Sequence, residues 1–339
     1  MAACTVLLAA TCLVVGCRDE ADSGEGSGPG GRRFLSVGTA PPGGAFFVVG
    51  SAIAEVVGSH PPGDRWQITA EATKGTQENV RRLDKEEIEF ALANAAITYF
   101  AVRGESGWEQ SFPIRTVMTL APNIALFITP ADSGIRSISD LKDKRVVVGP
   151  AGAGFEYFVG PILKAHGVTY DDFSPLYDTQ TGAVALLADG SADAAFLGGA
   201  VPTASITQAC AGQDIHFIPY DAEAVDRLTR QYNFFERKQI PAGTYRGQTD
   251  DFHGLNVGSM ILVTSTHIDE ETVYLFTKTL FENASDVLEK HPAGRAINPQ
   301  NVVRDTGTPF HDGAIRYYRE AGIWSQDGDG EPLSNGDSG

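Results

Sequence analysis

The architecture of this chain is indicated first by one segment, Gly38-Thr39-Ala40-Pro41-Pro42-Gly43-Gly44-Ala45-Phe46-Phe47. The residues before it, 34–40, form a short apolar run that is typical of a strand. The residues after it, 45–57, place apolar side chains at helical spacing. Two prolines and two glycines interrupt the pattern between them, and such residues end regular structure. The segment therefore predicts a strand, a glycine loop and a helix in direct succession.

The same order recurs along the chain, which extends the prediction from one segment to the whole fold. The predicted strands cover 67–72, 88–93, 144–149 and 193–198, and the predicted helices cover 77–85 and 155–165. Strands that alternate with helices form βαβ units, whose sheets are mostly parallel and covered by helices on both faces. The fold class is therefore α/β.

The chain divides into two predicted lobes. The first lobe comprises 34–124 together with 260–324, and the second comprises 131–255. Two apolar extended segments, 125–129 and 258–264, flank the second lobe and can cross between the lobes. Two segments that cross between the lobes predict a hinge at that place. The residues from 270 to 324 are predicted to be mainly helical and to return to the first lobe.

The amino end has the composition of an export signal. Residues 1–17 carry no charge and are too short for a standard membrane span, but they match the length of a secretory apolar region. Val14-Val15-Gly16-Cys17 resembles the lipobox at which bacterial lipoproteins are cleaved and acylated, although no basic residues precede it. We expect a signal peptide that ends at a lipidated Cys17. The alternative is a frayed hydrophobic terminus.

Two polar segments frame the predicted body. Residues 18–33 are rich in glycine and serine and predict a flexible tether, because they cannot bury enough apolar surface to offset the entropy of ordering. Residues 325–339 predict a disordered acidic tail. A lipid on Cys17 and this tether would hold the body near the periplasmic or extracellular face of a bacterial membrane.

Composition and motifs argue against several functions. The chain of 339 residues has a formal charge of −17, which disfavours nucleic acid and anionic membrane surfaces as partners. Gly149 and Gly154 have the spacing of a phosphate loop, but Phe155 and Glu156 follow them in place of Lys and Ser or Thr. The seven histidines never occur four residues apart, and only Cys210 lies beyond residue 17, so no metal site and no disulfide in the body are predicted. Binding therefore fits the sequence better than catalysis.

Four segments, in order, closely resemble the TAXI family, the substrate-binding subunits of TRAP (tripartite ATP-independent periplasmic) transporters. These segments are the opening segment Gly38–Phe47, Glu71-Ala72-Thr73-Lys74-Gly75-Thr76-Gln77-Glu78-Asn79, Gly198-Gly199-Ala200-Val201-Pro202 and Phe310-His311-Asp312-Gly313-Ala314-Ile315-Arg316-Tyr317-Tyr318. The resemblance covers nearly all of 34–324. It implies a two-lobed periplasmic-binding fold of the second type that closes on a small solute, commonly a carboxylate. It further implies delivery to TRAP membrane subunits, and no cofactor.

The resemblance also implies where the ligand binds. Carried over position by position, the cleft residues belong to the loops at the ends of the predicted strands. They are Gly38, Thr39, Gly43, Gly44, Phe46, Phe47, Thr73, Gly75, Thr76, Asn79, Asn94, Gly152, Ala153, Gly154, Phe155, Gly198 and Gly199.

The departures from the family pattern suggest a ligand that is less polar than glutamate. Pro42, Phe46, Phe47 and the segment Ala153-Gly154-Phe155 each lack a hydroxyl that the family tends to have. We expect a small organic acid whose carboxylate is bound by backbone N–H groups and by Thr76, Asn79 or Asn94, with Phe46, Phe47 and Phe155 packing its apolar part.

Plainer roles remain open for the same residues. One of the two adjacent phenylalanines, Phe46 or Phe47, can belong to the core, since neighbouring helix positions point in different directions. Thr76 can be a helix cap and Asn79 its partner. Two rival functions also remain, namely a secreted lyase or dehydratase on the same fold and a ligand-sensing module of a membrane receptor.

Overall fold

The computed structural model describes residues 33–42, 45–60 and 66–324. The predicted signal segment, Cys17, nearly all of the tether, Gly43, Gly44 and the acidic tail lie outside the described residues. The strands are β1 (Arg33–Gly38), β2 (Trp66–Glu71), β3 (Phe90–Asn94), β4 (Ile114–Thr119), β5 (Ile124–Pro130), β6 (Arg145–Val147), β7 (Ser174–Leu176), β8 (Ala194–Gly199), β9 (Ile215–Ile218), β10 (Phe235–Ile240), β11 (Phe252–Val257) and β12 (Met260–Ser265).

Helices follow most of these strands. They are α1 (Ala45–Ser59), α2 (Thr76–Asp84), α3 (Ala95–Ala101), α4 (Glu156–Ala165), α5 (Gln180–Ala188), α6 (Ala204–Gly212), α7 (Ala222–Gln231), α8 (Glu270–Glu282), α9 (Ala284–Lys290), α10 (Pro299–Val302) and α11 (Asp312–Glu320). Short 3-10 helices cover Ile138–Leu141, Tyr170–Asp172 and Pro292–Ala296. In the part of the chain that the structure describes, no helix has both the length and the apolar character needed to cross a bilayer.

The strands form two sheets. The first sheet has the order β2-β1-β3-β12-β4, and the second has the order β10-β11-β5-β8-β6-β7, with β9 paired to β5. The chain passes from the first sheet to the second between β4 and β5, and it returns between β11 and β12 through Gly258 and Ser259.

Most strands of each sheet run in one direction, as expected, but β12 in the first sheet and β5 and β10 in the second are reversed. Strand β1 pairs in parallel with β2 and β3, and β6 pairs in parallel with β7 and β8. The strands that the chain enters directly after each crossing are antiparallel to their neighbours: β12 is antiparallel to β3 and β4, and β5 is antiparallel to β8, β9 and β11. Both sheets are therefore mixed, because a strand that enters a sheet directly from a crossing has no βαβ connection to set its direction.

Successive side chains of β3 point to opposite faces of the first sheet, and each face belongs to a different hydrophobic cluster. Phe90 and Leu92 point to one face and pack with α1, α8 and α11, whereas Ala91 and Ala93 point to the other face. The cluster on that second face continues through α3 and α4 into the second sheet, where Phe127 and Phe196 belong to it. A single apolar cluster thus joins the inner faces of both sheets, and a separate cluster of the second sheet packs against α5 and α6.

The carboxyl end of the described chain closes the first core. Tyr317 and Tyr318 are buried, as packing against the first lobe requires, and the Tyr318 hydroxyl donates to the carbonyl of Val117 at 2.8 Å. The helix ends at Glu320 rather than near Trp324. Trp324 instead folds back and stacks on Tyr318 with ring centroids 6.4 Å apart.

Candidate functional site

The loops that end β1 and β2 are tied together by their own threonines. Thr39 donates its backbone N–H and its hydroxyl to the carbonyl of Glu71, at 2.9 and 2.7 Å. Thr73 in turn donates its hydroxyl to the carbonyl of Thr39 at 3.0 Å, and it accepts the backbone N–H of Gly75 at 3.1 Å. These hydroxyls, which the sequence assigned to the ligand, hold the strand ends in position.

The side chain of Asn79 also links strands of the first sheet. It is fully buried, and its amide nitrogen donates to the carbonyls of Thr39 at 2.8 Å and Leu92 at 2.9 Å, which links the ends of β1 and β3. Both amide hydrogens are therefore used, and neither remains for a carboxylate. Its Oδ1 has no donor among the described residues and faces Gly38, where an added Cβ would lie 2.8 Å from it.

Thr76 and Asn94 meet at the start of two helices. The N-cap of α2 is Gly75, so the interpretation of Thr76 as the cap is corrected: Thr76 is the first helical residue. Its hydroxyl accepts the backbone N–H of Asn94 at 3.0 Å. Asn94 caps α3 by accepting the N–H of Ala96 at 2.9 Å, and its amide donates to the carbonyl of Gly258 at 2.8 Å. Asn94 thus joins α3 to a crossing between the sheets.

The loop of the second sheet reaches these helices. A Cβ on Gly154 would lie 2.6 Å from the Ile97 side chain and 3.3 Å from the amide nitrogen of Gln77, so the loop backbone is in contact with α2 and α3. Gly154 has φ +84°, a conformation that favours glycine. Phe155 turns away from this contact. Its ring covers Gly149 and packs on Phe158 and Phe196.

The remaining expected site residues fall in different surroundings. Gly198 and Gly199 end β8, where the Gln180 side chain donates to the Gly198 carbonyl at 2.8 Å and accepts its N–H at 3.2 Å. Phe46 packs against the core of the first sheet, and Phe47 is half-buried. Gly152 and Ala153 lie in the loop before α4, with Gly152 exposed.

The junction between the two sheets contains polar and aromatic residues that sequence reasoning missed. Gln77 donates its side-chain amide to Glu156 at 3.4 Å across the junction. The Trp108 ring lies 6.1 Å from that of Tyr157, and the Arg81 guanidinium lies 5.0 Å from the Trp108 ring centre. Gln77 lies within the quoted segment Glu71–Asn79 and Arg81 two residues after it, but Trp108 lies in a loop whose position depends on tertiary packing.

The electrostatics of the junction favour an anion. The first N–H groups of α2 have no acceptor within the helix, and the helix dipole adds partial positive charge there. Burial raises the pKa of Tyr157, an effect that the charge of Glu156 reinforces and that of Arg81 opposes, so its hydroxyl stays a donor at neutral pH. Within the described residues, no cluster of three or more His, Cys, Asp or Glu side chains could hold a metal ion. The arrangement is suited to binding.

Two mixed sheets, crossed twice by the chain and facing each other through the loops that precede their helices, form a fold of the periplasmic-binding type. The fold is similar to that of the periplasmic aliphatic sulphonate binding protein SsuA of Escherichia coli, with a TM-score of 0.50, 13% sequence identity, and coverage of 85% of this chain and 83% of that one. It is also similar to a binding protein component of an ABC phosphonate transporter of Pseudomonas aeruginosa, with a TM-score of 0.50, 10% identity and 84% coverage of both chains. The prediction of a two-sheet α/β fold of the periplasmic-binding type is confirmed.

Sequence similarity over nearly the whole described body also assigns the chain to a family. Residues 37–322 match the model of the NMT1-like family, and the chain belongs to that family.

Proposed function

We propose that this protein is an extracytoplasmic solute-binding protein that captures a small organic anion by closing two lobes around it. In this proposal the lobes are 34–124 with 260–324, and 131–255. The observation that carries the proposal is the contact of the Gly154 loop with Ile97 and Gln77, because it brings loops from the two sheets face to face where α2, α3 and α4 begin. Open α/β sheets bind ligands at the carboxyl ends of their strands.

The proposed ligand is a carboxylate that is less polar than glutamate. The contacts of Thr39, Thr73 and Asn79 support this proposal, since their hydroxyl and amide groups donate to backbone carbonyls of the protein and are not available to additional polar groups of a ligand. The sulphonate-binding and phosphonate-transporter proteins of the same fold favour a second candidate, a sulphonate or phosphonate. All three ligand classes present an oxyanion.

We further propose that Cys17 carries a lipid and that the protein delivers its ligand to TRAP membrane subunits, as a member of the TAXI group. The four family segments of the sequence support that partner. The Pseudomonas relative favours an ABC-type importer as the alternative partner.

Binding without catalysis is the proposed activity. Glu156 is an acidic side chain at the junction, and it accepts a hydrogen bond from Gln77, an amide that is neither a nucleophile nor a base. A lyase or dehydratase would require a titrating group poised over the substrate.

A thermal-shift panel tests the ligand. The purified protein is heated with hexanoate, benzoate, glutamate, 2-oxoglutarate, hexanesulphonate and phenylphosphonate, with benzamide as the uncharged control. A ligand at 100 times its Kd stabilises the native state by about 2.7 kcal/mol, which raises Tm by roughly 4 to 5 °C at an unfolding entropy of about 2.1 cal/mol/K per residue. We expect a monoacid to give the largest shift. Larger shifts with glutamate and 2-oxoglutarate would contradict the less polar carboxylate, and no shift with any acid would contradict anion binding.

Uptake measurements separate the two partners. Cells that express the protein with its native permease take up the labelled ligand, and either the ion gradient or the ATP supply is then removed. We expect collapse of the ion gradient to stop uptake while ATP remains. Uptake that persists without the gradient and stops on ATP depletion would identify an ABC-type partner.

A further inference from the structure

Arg81 is a cation at the junction of the two sheets that has no acidic partner among the described residues. It lies in α2, one turn after Gln77, and no salt bridge to it occurs within the described part of the chain. The adjacent Arg82, by contrast, pairs with Glu71 at 2.7 Å and Glu87 at 3.3 Å. The Arg81 guanidinium is exposed and lies over Trp108, and it donates to the backbone carbonyl of Gln77 at 3.4 Å. Its capacity to bind an acid is therefore unused.

Trp108 carries an unused donor at the same place. The residue is 5% exposed, and its indole Nε1 is buried with no acceptor among the described residues. An indole nitrogen can only donate, and the large majority of buried polar side-chain atoms in proteins have a partner. The buried indole N–H of Trp108 is therefore a donor that a ligand could use.

Tyr157 brings a third donor from the other sheet. It lies in the first turn of α4, its ring stacks near Trp108, and it also contacts Phe100 with ring centroids 5.7 Å apart. Since Arg81 and Trp108 belong to the first-sheet side, the three side chains meet only when the two sides are together. Separation of the sides would uncover the indole, because Tyr157 is the ring from the second side that covers it.

We propose that Arg81, the indole N–H of Trp108 and the hydroxyl of Tyr157 form a subsite that binds the acidic group of a small organic anion as the lobes close. This inference rests on the proposed solute-binding function and names the residues that recognise the charge. A guanidinium binds a carboxylate, sulphonate or phosphonate through paired N–H donors, and the two neutral donors add directional hydrogen bonds. The adjoining rings of Phe100 and Phe112 favour an aromatic or aliphatic body on the ligand.

The negative charge of Glu156 affects which anions this subsite can bind. Glu156 precedes Tyr157 in the chain, and its carboxylate accepts the Gln77 amide at 3.4 Å, so a negative charge lies at the junction. A second acidic group on the ligand near Glu156 would be repelled. The arrangement therefore favours monoacids over dicarboxylates such as glutamate.

Isothermal titration with the best monoacid of the panel tests the subsite, using benzoate if several acids bind equally. Arg81→Met removes the charge and keeps most of the side-chain volume, Trp108→Phe removes the indole N–H and keeps an aromatic ring, and Tyr157→Phe removes only the hydroxyl. The matched controls are Arg82→Met, with the same charge change in the same helix, and Tyr232→Phe, which removes a hydroxyl that Gln231 already contacts at 3.1 Å. Circular dichroism verifies that each variant is folded at the titration temperature.

We expect Arg81→Met to weaken binding at least tenfold and each of Trp108→Phe and Tyr157→Phe to weaken it about threefold to tenfold, with both controls within twofold of the unmodified protein. Glutamate is expected to gain affinity relative to benzoate in Glu156→Gln. If the unmodified protein binds a monoacid and the three variants bind it equally well, the subsite is refuted while the proposed function stands. If the unmodified protein binds no acid of the panel, the proposed function and the subsite both fail.

Discussion

The side-chain amide of Asn94 donates to the carbonyl of Gly258 at 2.8 Å, and this bond joins the start of α3 to the crossing between β11 and β12. The two residues are 164 positions apart in the chain. The same Asn94 side chain accepts the N–H of Ala96, so one amide both caps a helix and fixes a crossing. Motion of one sheet relative to the other would strain or break this hydrogen bond.

Replacement of Gly258 by alanine is expected to disrupt that contact. Gly258 has φ +110°, and a Cβ there would lie 2.5 Å from Asn94 Oδ1 and 2.7 Å from the Ala96 nitrogen. Backbone strain and loss of the α3 cap together predict a decrease of about 2 to 4 kcal/mol in the free energy of unfolding. Urea denaturation of the variant and the unmodified protein measures this decrease.

Gly134→Ala is the matched control, because Gly134 has φ +79° but open space around its missing Cβ. That variant should lose only about 1 kcal/mol, from backbone strain alone. Equal losses in the two variants would show that the Asn94 contact contributes nothing beyond strain.

Asn79→Ala distinguishes a framework role from a ligand-binding role. The change leaves the buried carbonyls of Thr39 and Leu92 without their donor, and each such loss costs about 1 to 3 kcal/mol. We expect a decrease of about 2 to 5 kcal/mol in the free energy of unfolding, measured by urea denaturation. Ligand affinity measured well below the Tm should change little by comparison. Unchanged stability with abolished binding would mean that Asn79 contacts the ligand, as the sequence suggested.

Phe155→Ala is expected to act mainly on stability. The ring is partly buried over Gly149 and packs on Phe158 and Phe196, so its removal leaves a cavity in the apolar cluster that joins the two sheets. A fully buried phenylalanine costs about 3 to 5 kcal/mol on truncation, and this half-buried one should cost about 2 kcal/mol. Phe34→Ala, at a phenylalanine that is 68% exposed, is the control and should cost less than about 0.5 kcal/mol. Loss of ligand binding without loss of stability would place Phe155 in the binding site.

The sequence could predict the order of strands and helices because that order depends on local patterns. The apolar runs before Gly38 and Asn94 and the glycine loops after them are visible over a few residues. The direction of β12 is not a local property, since it depends on where a strand returning from the second sheet is inserted. The sequence therefore could not predict that β12 runs antiparallel to both of its neighbours.

The sequence could predict in which loops the candidate residues lie, but not which groups their side chains contact. Thr39 and Thr73 do lie in the loops where the sequence placed them, yet their hydroxyls bond to the carbonyls of Glu71 and Thr39. A polar side chain near a ligand and one that holds a loop look alike in sequence, because both satisfy buried hydrogen-bonding groups. Trp108 could not be found from sequence at all, since its proximity to Tyr157 depends on the packing of α3 against α4.

Acid should destabilise the protein through His311, which caps α11. Its Nδ1 accepts the N–H of Gly313 at 3.1 Å and its Nε2 donates to the carbonyl of Ile268 at 3.1 Å, so the bonded form is the neutral ring. Burial lowers the pKa of His311; the Ile268 bond and the charges of Asp312 and Glu270 oppose the shift, whereas Arg115 adds to it. Because the pKa is lower in the folded state, the unfolded chain binds more protons. The stabilisation is complete above the unfolded pKa, about 6.5, and is lost as the pH falls from there through the folded value.

His311→Asn tests this dependence, because asparagine caps a helix without titrating. Between pH 7.5 and pH 5.5 the Tm of the unmodified protein should fall, and the fall should be smaller in the variant. Part of the slope should remain, since burial also lowers the pKa of His166 and of His216. His253→Asn, at an exposed position in β11, is the control and should leave the slope unchanged. An equal slope in His311→Asn and the unmodified protein would show that the α11 cap does not contribute to the acid sensitivity.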